Sequence, residues 1–294
     1  MLFFLRFLIV TLVIFFSYNL SIKHYFRNSN DKISYNIFLH KFLHIINDRN
    51  FFMNYGLWDD KTDNLINANK NLIDFVFKKS EMEGKKKLNI LDVGCGYGVQ
   101  DIDWVAKIDK SCKITAIDIC EEQIYDAIKK KSSVKFDICD ATFIDLKYKD
   151  EIFDRIISVE SAFHYQERKK FFRNANTLLE KDGKFIITDL MLNKLPGEDP
   201  VTWLFLRIFS DFLCIPEQNL ITADEWDKQI SAELNVCETI DITEQTFQPY
   251  YKHFMTNYVK NKNWPEWIGS VLTKFFCSHQ PFIYKVVVCT KKCS

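Results

Sequence analysis

The fold is decided by the stretch Leu91-Asp-Val-Gly-Cys-Gly-Tyr-Gly98. An apolar run that begins at Leu88 ends there in three glycines at every second position, and a helix-compatible segment follows from Gln100. This order predicts a buried strand, a tight loop and a helix start, so that the backbone can approach a ligand closely. The glycine spacing differs from the Gly-x-Gly-x-x-Gly fingerprint, which disfavours a nicotinamide-dependent oxidoreductase.

An acidic residue follows the glycine loop at the distance that nucleotide-binding folds use. Asp118 ends the next strand-like run, which starts at Ile114, about twenty residues beyond Gly98. A carboxylate at this point is placed to accept hydrogen bonds from ribose hydroxyls. The loop and the acid together predict a ligand that contains a ribose.

Four segments in order resemble the motif series of class I S-adenosylmethionine-dependent methyltransferases: LDVGCGYG at 91–98, AIDI at 116–119, CDAT at 139–142 and FDRIISVE at 153–160. The resemblance extends over roughly residues 51–290. It implies an α/β fold, a Rossmann-like seven-stranded methyltransferase sheet with helices on both faces and an antiparallel last strand. The chain is similar to the small-molecule branch, which includes natural-product sugar O-methyltransferases and tocopherol and sterol methyltransferases.

The resemblance implies S-adenosyl-L-methionine as the cofactor and assigns residues to it. The glycines would let the loop pass the methionine part, Asp118 would hold the ribose hydroxyls, and Ile119 would lie against the adenine. Asp140 and Ala141 would meet the adenine edge through a carboxylate and a backbone N–H. The predicted cofactor-binding residues are Asp92, Gly94, Gly96, Gly98, Asp118, Ile119, Asp140, Ala141 and Glu160. No metal site is predicted.

Composition allows one large domain or two small ones. The 294 residues are 47% hydrophobic, which suffices for a core, and the net charge of zero gives no reason to expect a nucleic-acid partner. The cysteines number nine and show no metal-type spacing. Three of them lie inside the cofactor motifs, and we interpret them as reduced thiols that pack as small hydrophobic side chains.

The first twenty residues form a separate feature. The run from Leu2 to Phe16 is apolar except at two positions, but a membrane span needs roughly twenty apolar residues. A signal peptide would suit the length, yet no Ala-x-Ala-like cleavage site follows. Basic residues follow the run, namely Lys23, Arg27 and Lys32. We predict that residues 1–20 are a membrane anchor or signal-like segment, that residues 21–50 are a juxtamembrane helix, and that the catalytic domain, residues 51–294, faces the cytosol. A buried helix is the alternative for residues 1–20.

From residue 88 onward, strand-like and helix-like patterns alternate as in a doubly wound α/β fold. Strands are predicted at Leu88–Val93, Ile114–Ile117, Val134–Ile138, Arg155–Val159, Lys184–Thr188, Val236–Ile242 and Phe282–Thr290. Helices are predicted at Gln100–Ile108, Glu121–Lys131 and Glu167–Glu180, the last with its C-cap at Asp182-Gly183. Ligands bind at the carboxyl ends of such strands, where Gly94, Asp118, Asp140, Glu160 and Asp189 fall.

Two segments are expected to cover the site. Residues 191–235 interrupt the alternation with prolines and an aromatic-apolar run, 203–209, where the resembled enzymes carry a lid. Within this segment, Thr222-Ala-Asp-Glu225 predicts a capping box and the start of a helix. An apolar lid favours a small, apolar acceptor, and helix packing is the alternative for this segment. Tyr55 and Trp58 loosely match a segment that closes over the cofactor in similar enzymes, with packing as the alternative.

His164 follows the fourth predicted strand and is the candidate catalytic base. A hydroxyl acceptor must lose its proton, and histidine is the natural base near neutral pH. In the sugar O-methyltransferases that the chain resembles, a histidine and an aspartate at the positions of His164 and Asp189 act as base and orienting partner. We therefore predict O-methylation with these two catalytic residues. A helix-capping role for His164, transfer to carbon or nitrogen, and a membrane-tethered non-catalytic relative are the alternatives, and the oligomeric state is left open.

Overall fold

The computed structural model describes residues 51–194, 203, 206, 207, 210, 214–261 and 280–293. The predictions for residues 1–50 lie outside these described residues, as do most of those for 195–213. No helix in the described part of the chain is both long and apolar enough to cross a lipid bilayer.

Seven strands form a single mixed sheet in the order β3-β2-β1-β4-β5-β7-β6. Strands β1 to β5 run parallel to one another, and β7 lies between β5 and β6 and runs antiparallel to both. This arrangement confirms the predicted Rossmann-like sheet with its antiparallel last strand. The strands are β1 (Asn89–Val93), β2 (Lys113–Asp118), β3 (Lys135–Ile138), β4 (Phe153–Val159), β5 (Leu179–Leu192), β6 (Asn235–Asp241) and β7 (Phe282–Thr290).

Helices cover both faces of the sheet. Phe185 of β5 packs in one buried cluster with Phe172 and Trp226, whereas Tyr284 of β7 meets Phe247 on the opposite face. The described helices are α1 (Leu65–Lys79), α2 (Val99–Val105), α3 (Glu121–Lys129), α4 (Ile144–Lys147), α5 (Arg168–Leu178), α6 (Ala223–Glu233) and α7 (Thr243–Asn261). Short 3₁₀ helices lie at Ala141–Phe143, Ala162–His164 and Glu217–Asn219.

The end of α5 differs from the prediction. The helix ends at Leu178, and the next residue, Leu179, already pairs with Phe153 of β4. The expected C-cap at Asp182-Gly183 therefore lies inside β5. Burial of Leu179 and its strand pairing outweigh the local Asp-Gly signal, since tertiary contacts override weak local preferences.

The segment 191–235, which was predicted to form a lid, begins and ends in strands of the sheet. Its first two residues belong to β5, and its last helix, α6, packs on the sheet through the fully buried Trp226 and Ile230. The predicted capping box at the start of α6 is confirmed, because the Thr222 side chain accepts from the Glu225 backbone N–H and the Glu225 carboxylate accepts from the Thr222 N–H.

Candidate active site

The glycine loop joins the carboxyl end of β1 to α2. Gly94 and Gly96 have φ angles of 83° and 54°, a left-handed backbone that favours glycine. A Cβ on Gly94 would lie 1.9 Å from the Ser161 Oγ, so the loop after β4 packs directly on this glycine. A Cβ on Gly96 would meet only the Met53 Cγ, at 3.8 Å. The loop is therefore closed by protein at Gly94 and leaves space for a ligand at Gly96.

The carboxylate of Asp118, at the end of β2, binds the backbone of the glycine loop. One carboxylate oxygen accepts a hydrogen bond from the Gly96 N–H and the other from the Cys120 N–H, both at 2.9 Å. Burial raises the pKa of Asp118, and these two donors oppose the rise. The next side chain, Ile119, is 42% exposed, which leaves an apolar surface beside the carboxylate.

The end of β3 brings Asp140 to the same edge of the sheet. The Cys139 N–H donates to the Asp118 carbonyl at 3.0 Å and holds the two strand ends together. One carboxylate oxygen of Asp140 accepts from the backbone N–H and the hydroxyl of Thr142. Ala141 is the first residue of the following 3₁₀ helix, so its N–H has no partner within that helix.

Asp92 lies fully buried beneath the glycine loop. Gln100 Nε2 donates to its Oδ2. The carboxyl of Asp101, also fully buried, is its neighbour. Burial raises the pKa of Asp92 to about 7 against the effect of Gln100, and burial raises that of Asp101 as well. Two neighbouring buried carboxyls can share one proton, and the raised pKa of Asp101 makes its carboxyl the donor to Asp92.

Glu160 follows β4 and fastens a distant segment onto the sheet. Its oxygens accept from the Tyr55 N–H at 2.9 and 3.1 Å, and the Tyr284 hydroxyl donates to one of them. Its φ angle of 48° is unusual for a residue other than glycine. Burial raises the pKa of Glu160 to about 8, with both donors acting in the opposite direction. Protein donors thus contact the carboxylate that was predicted to bind the cofactor.

The segment that Glu160 holds packs against α7. The Tyr55 ring meets the edges of Phe247 and Tyr250, with ring centroids 5.6 and 5.1 Å apart. Trp58 is buried, and its Nε1 donates to the Tyr55 carbonyl at 3.1 Å. Trp58 therefore has the packing role that was the alternative for it.

His164 ends the 3₁₀ helix Ala162–His164 and is half-buried. Its Nδ1 lies 3.4 Å from the Cys214 carbonyl oxygen. A carbonyl can only accept a hydrogen bond, so this contact favours a proton on Nδ1 and leaves Nε2 as the basic nitrogen. The imidazole is thus in a tautomer that suits a general base.

Asp189 does not orient His164, which corrects the expected pairing. Its carboxylate accepts from Arg168 Nη1 at 3.0 Å and from Trp226 Nε1 at 2.6 Å, and both donors are buried. Side chains alternate along a strand, and Asp189 lies on the same side of β5 as Phe185, towards α5 and α6. The aspartate therefore neutralises a buried arginine.

Two donors to buried carboxylates were not predicted from the sequence: Arg168, which donates to Asp189, and Tyr284, which donates to Glu160. A signal existed for Arg168, which occupies the apolar stripe of α5 together with Phe171, Phe172 and Ala175. A charged residue in such a stripe predicts a buried ion pair. Tyr284 carries no comparable signal, because nothing local distinguishes it from other aromatic strand residues.

Comparison with known protein families matches residues 84–252 to a family described as "Methyltransferase domain". The chain belongs to this methyltransferase family. Among relatives, erythromycin 3''-O-methyltransferase from Saccharopolyspora erythraea is 27% identical over 239 residues, covering 78% of this chain and 76% of the relative.

Solved structures agree with the fold of this methyltransferase. A putative sarcosine dimethylglycine methyltransferase from Galdieria sulphuraria superposes with a TM-score of 0.70 at 14% identity, covering 86% of this chain and 98% of that one. Geranyl diphosphate C-methyltransferase from Streptomyces coelicolor A3(2), with S-adenosyl-L-homocysteine bound, gives a TM-score of 0.65 at 13% identity, covering 87% and 99%. At these identities the likeness shows the fold alone.

The enzyme is an S-adenosylmethionine-dependent methyltransferase, and its site fits that cofactor. The space at Gly96 would receive the methionine part. Asp118 would hold the ribose, while the exposed Ile119 and the Asp140-Ala141 turn would meet the adenine. Which of these residues contact the cofactor stays a prediction.

Proposed function

We propose that this enzyme methylates a hydroxyl group of a small, apolar molecule, with His164 as the general base. The observation that carries the proposal is the packing of the loop after β4 on the glycine loop, where Ser161 occupies the space that a Cβ on Gly94 would need. His164 lies three residues further along the same short loop. The loop that carries His164 is therefore packed on the loop that would hold the methyl donor.

The residues of this loop would have to align the acceptor and remove its proton. The cofactor supplies an electrophilic methyl group when bound, and the protein chiefly has to align the acceptor with it. His164 Nε2 would take the proton of the acceptor hydroxyl, while the Cys214 carbonyl stabilises the resulting imidazolium at Nδ1. Proton abstraction of this kind contributes about 10²–10⁴ in rate.

Two observations support the acceptor class. The relative from Saccharopolyspora erythraea is named for methylation of an oxygen on erythromycin, and it aligns with most of this chain. The sequence itself has the aromatic-apolar run 203–209 between β5 and α6, and apolar linings suit apolar ligands. Both favour a hydrophobic small molecule that carries a hydroxyl group.

An acceptor screen with methyl-labelled cofactor tests the proposal. Lipid, quinone, sterol and glycoside extracts are each incubated with the purified full-length enzyme, and labelled products are identified by mass spectrometry. We expect acceptor-dependent formation of S-adenosylhomocysteine and a label on oxygen. A label on nitrogen or carbon, or no acceptor-dependent turnover, would contradict the proposal.

We further propose that residues 1–20 tether the enzyme to a membrane, with the catalytic domain facing the cytosol. The support comes from the sequence, namely the apolar run 2–16 and the basic residues that follow it. Fractionation of cells that express a tagged full-length chain tests the tether, and we expect recovery with membranes. Recovery in the soluble fraction, or secretion of a shortened chain, would overturn it.

A further inference from the structure

Residues 214–219, which follow the segment after β5, are fastened to the loop that carries His164. The side-chain amide of Asn219 donates to the Phe163 carbonyl at 2.9 Å and to the Tyr165 carbonyl at 2.7 Å. These two carbonyls lie immediately before and after His164 in the chain. Asn219 is only 4% exposed, so water has little access to compete for these contacts.

The remaining contacts of the loop do not replace those of Asn219. The backbone N–H groups of His164 and Tyr165 donate within the loop, to Ser161 and Ala162. These bonds shape the 3₁₀ turn but leave the Phe163 and Tyr165 carbonyls to Asn219. One amide NH₂ group has two N–H donors and can serve both carbonyls. One side chain thus holds both the Phe163–His164 peptide and the Tyr165–Gln166 peptide.

A neighbouring glutamine offers a natural comparison. Gln218 Nε2 donates to the Gln166 carbonyl at 2.7 Å, one residue beyond the pair that Asn219 holds. This contact is exposed to solvent, so water can replace it. Gln218 and Asn219 therefore differ in burial and in whether their contacts flank His164.

We propose that Asn219 is a positioning residue for catalysis, which acts by holding the His164 imidazole against the Cys214 carbonyl. The inference rests on the proposed function, since Asn219 acts through His164. Both elements of the contact come from the same region, because Cys214 lies five residues before Asn219. Without the amide, the Phe163–His164 and Tyr165–Gln166 peptides would be able to rotate, and the imidazole between them would leave its aligned position.

Kinetics of Asn219→Ala and Gln218→Ala test the proposal in the full-length enzyme, with an acceptor from the screen. We expect Asn219→Ala to lower kcat about 10- to 100-fold, because displacement of a reacting group by about 1 Å costs this much. The affinity for S-adenosylmethionine, measured by calorimetry, should stay within about twofold and would also show that the variant folds. The pH profile of kcat should move with Asn219→Ala and stay unchanged with Gln218→Ala. Asn219→Ser serves as the second variant, should the alanine variant not fold.

A double variant separates this inference from the proposed function. If Asn219 acts through His164, adding Asn219→Ala to His164→Ala lowers kcat no further. An equal loss in both backgrounds, or unchanged kcat and pH profile in Asn219→Ala, would overturn the positioning role while His164 remains the base. Full activity in His164→Ala would show that His164 is not the general base, and it would also overturn the positioning role of Asn219.

Discussion

One edge of the sheet has two regions that are built in different ways: a cofactor region, which is predicted to bind S-adenosylmethionine, and an acceptor region, which is proposed to lie near the acceptor. In the cofactor region, at β1 to β3, Asp118 holds residues 2 and 22 positions away, and Asp140 holds a residue 2 positions away. In the acceptor region, at β4, β5 and β7, Glu160 binds partners 105 and 124 positions away. The carboxylate contacts of the first region therefore span at most 22 positions, and those of Glu160 span more than a hundred.

This difference explains why the two regions should respond differently to mutation. The carboxylates of the cofactor region hold backbone N–H groups of loops that other contacts also support. In the acceptor region, Asp189 neutralises a buried charge and Glu160 holds a segment from elsewhere in the chain. We expect changes in the cofactor region to alter ligand affinity, and changes in the acceptor region to alter either the rate or the stability, depending on the residue.

The largest effect is expected for His164→Ala. Loss of a general base should lower kcat by about 10²–10⁴ and leave the affinity for S-adenosylmethionine unchanged. Steady-state kinetics and calorimetry measure the two quantities. His253→Ala is the matched control, because that imidazole packs beside Trp58 with ring centroids 5.2 Å apart. Near-full kcat with an unchanged pH profile in His164→Ala would place the base elsewhere, or point to an acceptor that needs none.

Asp189→Asn should act on stability. The substitution leaves the buried Arg168 guanidinium without its counter-charge, which costs about 3–5 kcal/mol. Denaturant unfolding measures the loss. Asp227→Asn is the control, because Asp227 pairs with Lys285 and is about half exposed; such pairs contribute about 0–1 kcal/mol. Unchanged stability with a loss of kcat as large as that of His164→Ala would restore the orienting role that the contacts argue against.

Asp118→Ala, in the cofactor region, should act on the affinity for S-adenosylmethionine. Removal of a carboxylate that would bind the ribose hydroxyls should weaken S-adenosylmethionine binding about 10- to 100-fold, or about 1.5–3 kcal/mol. Calorimetry measures the affinity. Asp137→Ala, on the neighbouring β3, removes a carboxylate that pairs with Lys147 and should leave the affinity unchanged. Equal affinities for Asp118→Ala and the wild type would remove Asp118 from the cofactor site.

The last prediction concerns Glu160→Gln and the pH dependence of stability. A carboxyl whose pKa is raised in the folded state binds its proton more tightly there than in the unfolded chain. Its stabilising contribution is therefore complete below about 4.5 and is lost as pH rises towards about 8, by at most about 1.4 kcal/mol per pH unit. Unfolding free energies are measured from pH 5 to pH 8, and that of the wild type should fall relative to that of Glu160→Gln as the pH rises. Parallel curves would show that Glu160 does not titrate in this range.

Much of the fold was predictable because its signals are local. The glycine run at 94–98 and the acids at 118 and 140 lie on the three strand ends where they were expected. The capping box at Thr222 also formed as predicted. The C-cap at Asp182-Gly183 was wrong, because strand pairing at Leu179 decided where α5 ends.

By itself, the sequence determined the order of strands and helices and the placement of the cofactor motifs, since these depend on periodicity, glycine backbone freedom and contacts between near neighbours. Only the tertiary structure decided that Asp189 pairs with Arg168, that Glu160 holds Tyr55, and that Asn219 and Cys214 surround His164. The physical reason is that a buried polar side chain takes whichever partner the packed strands and helices bring within about 3 Å. That partner depends on side-chain direction and on which helix covers which face, and neither is encoded in the residues next to it.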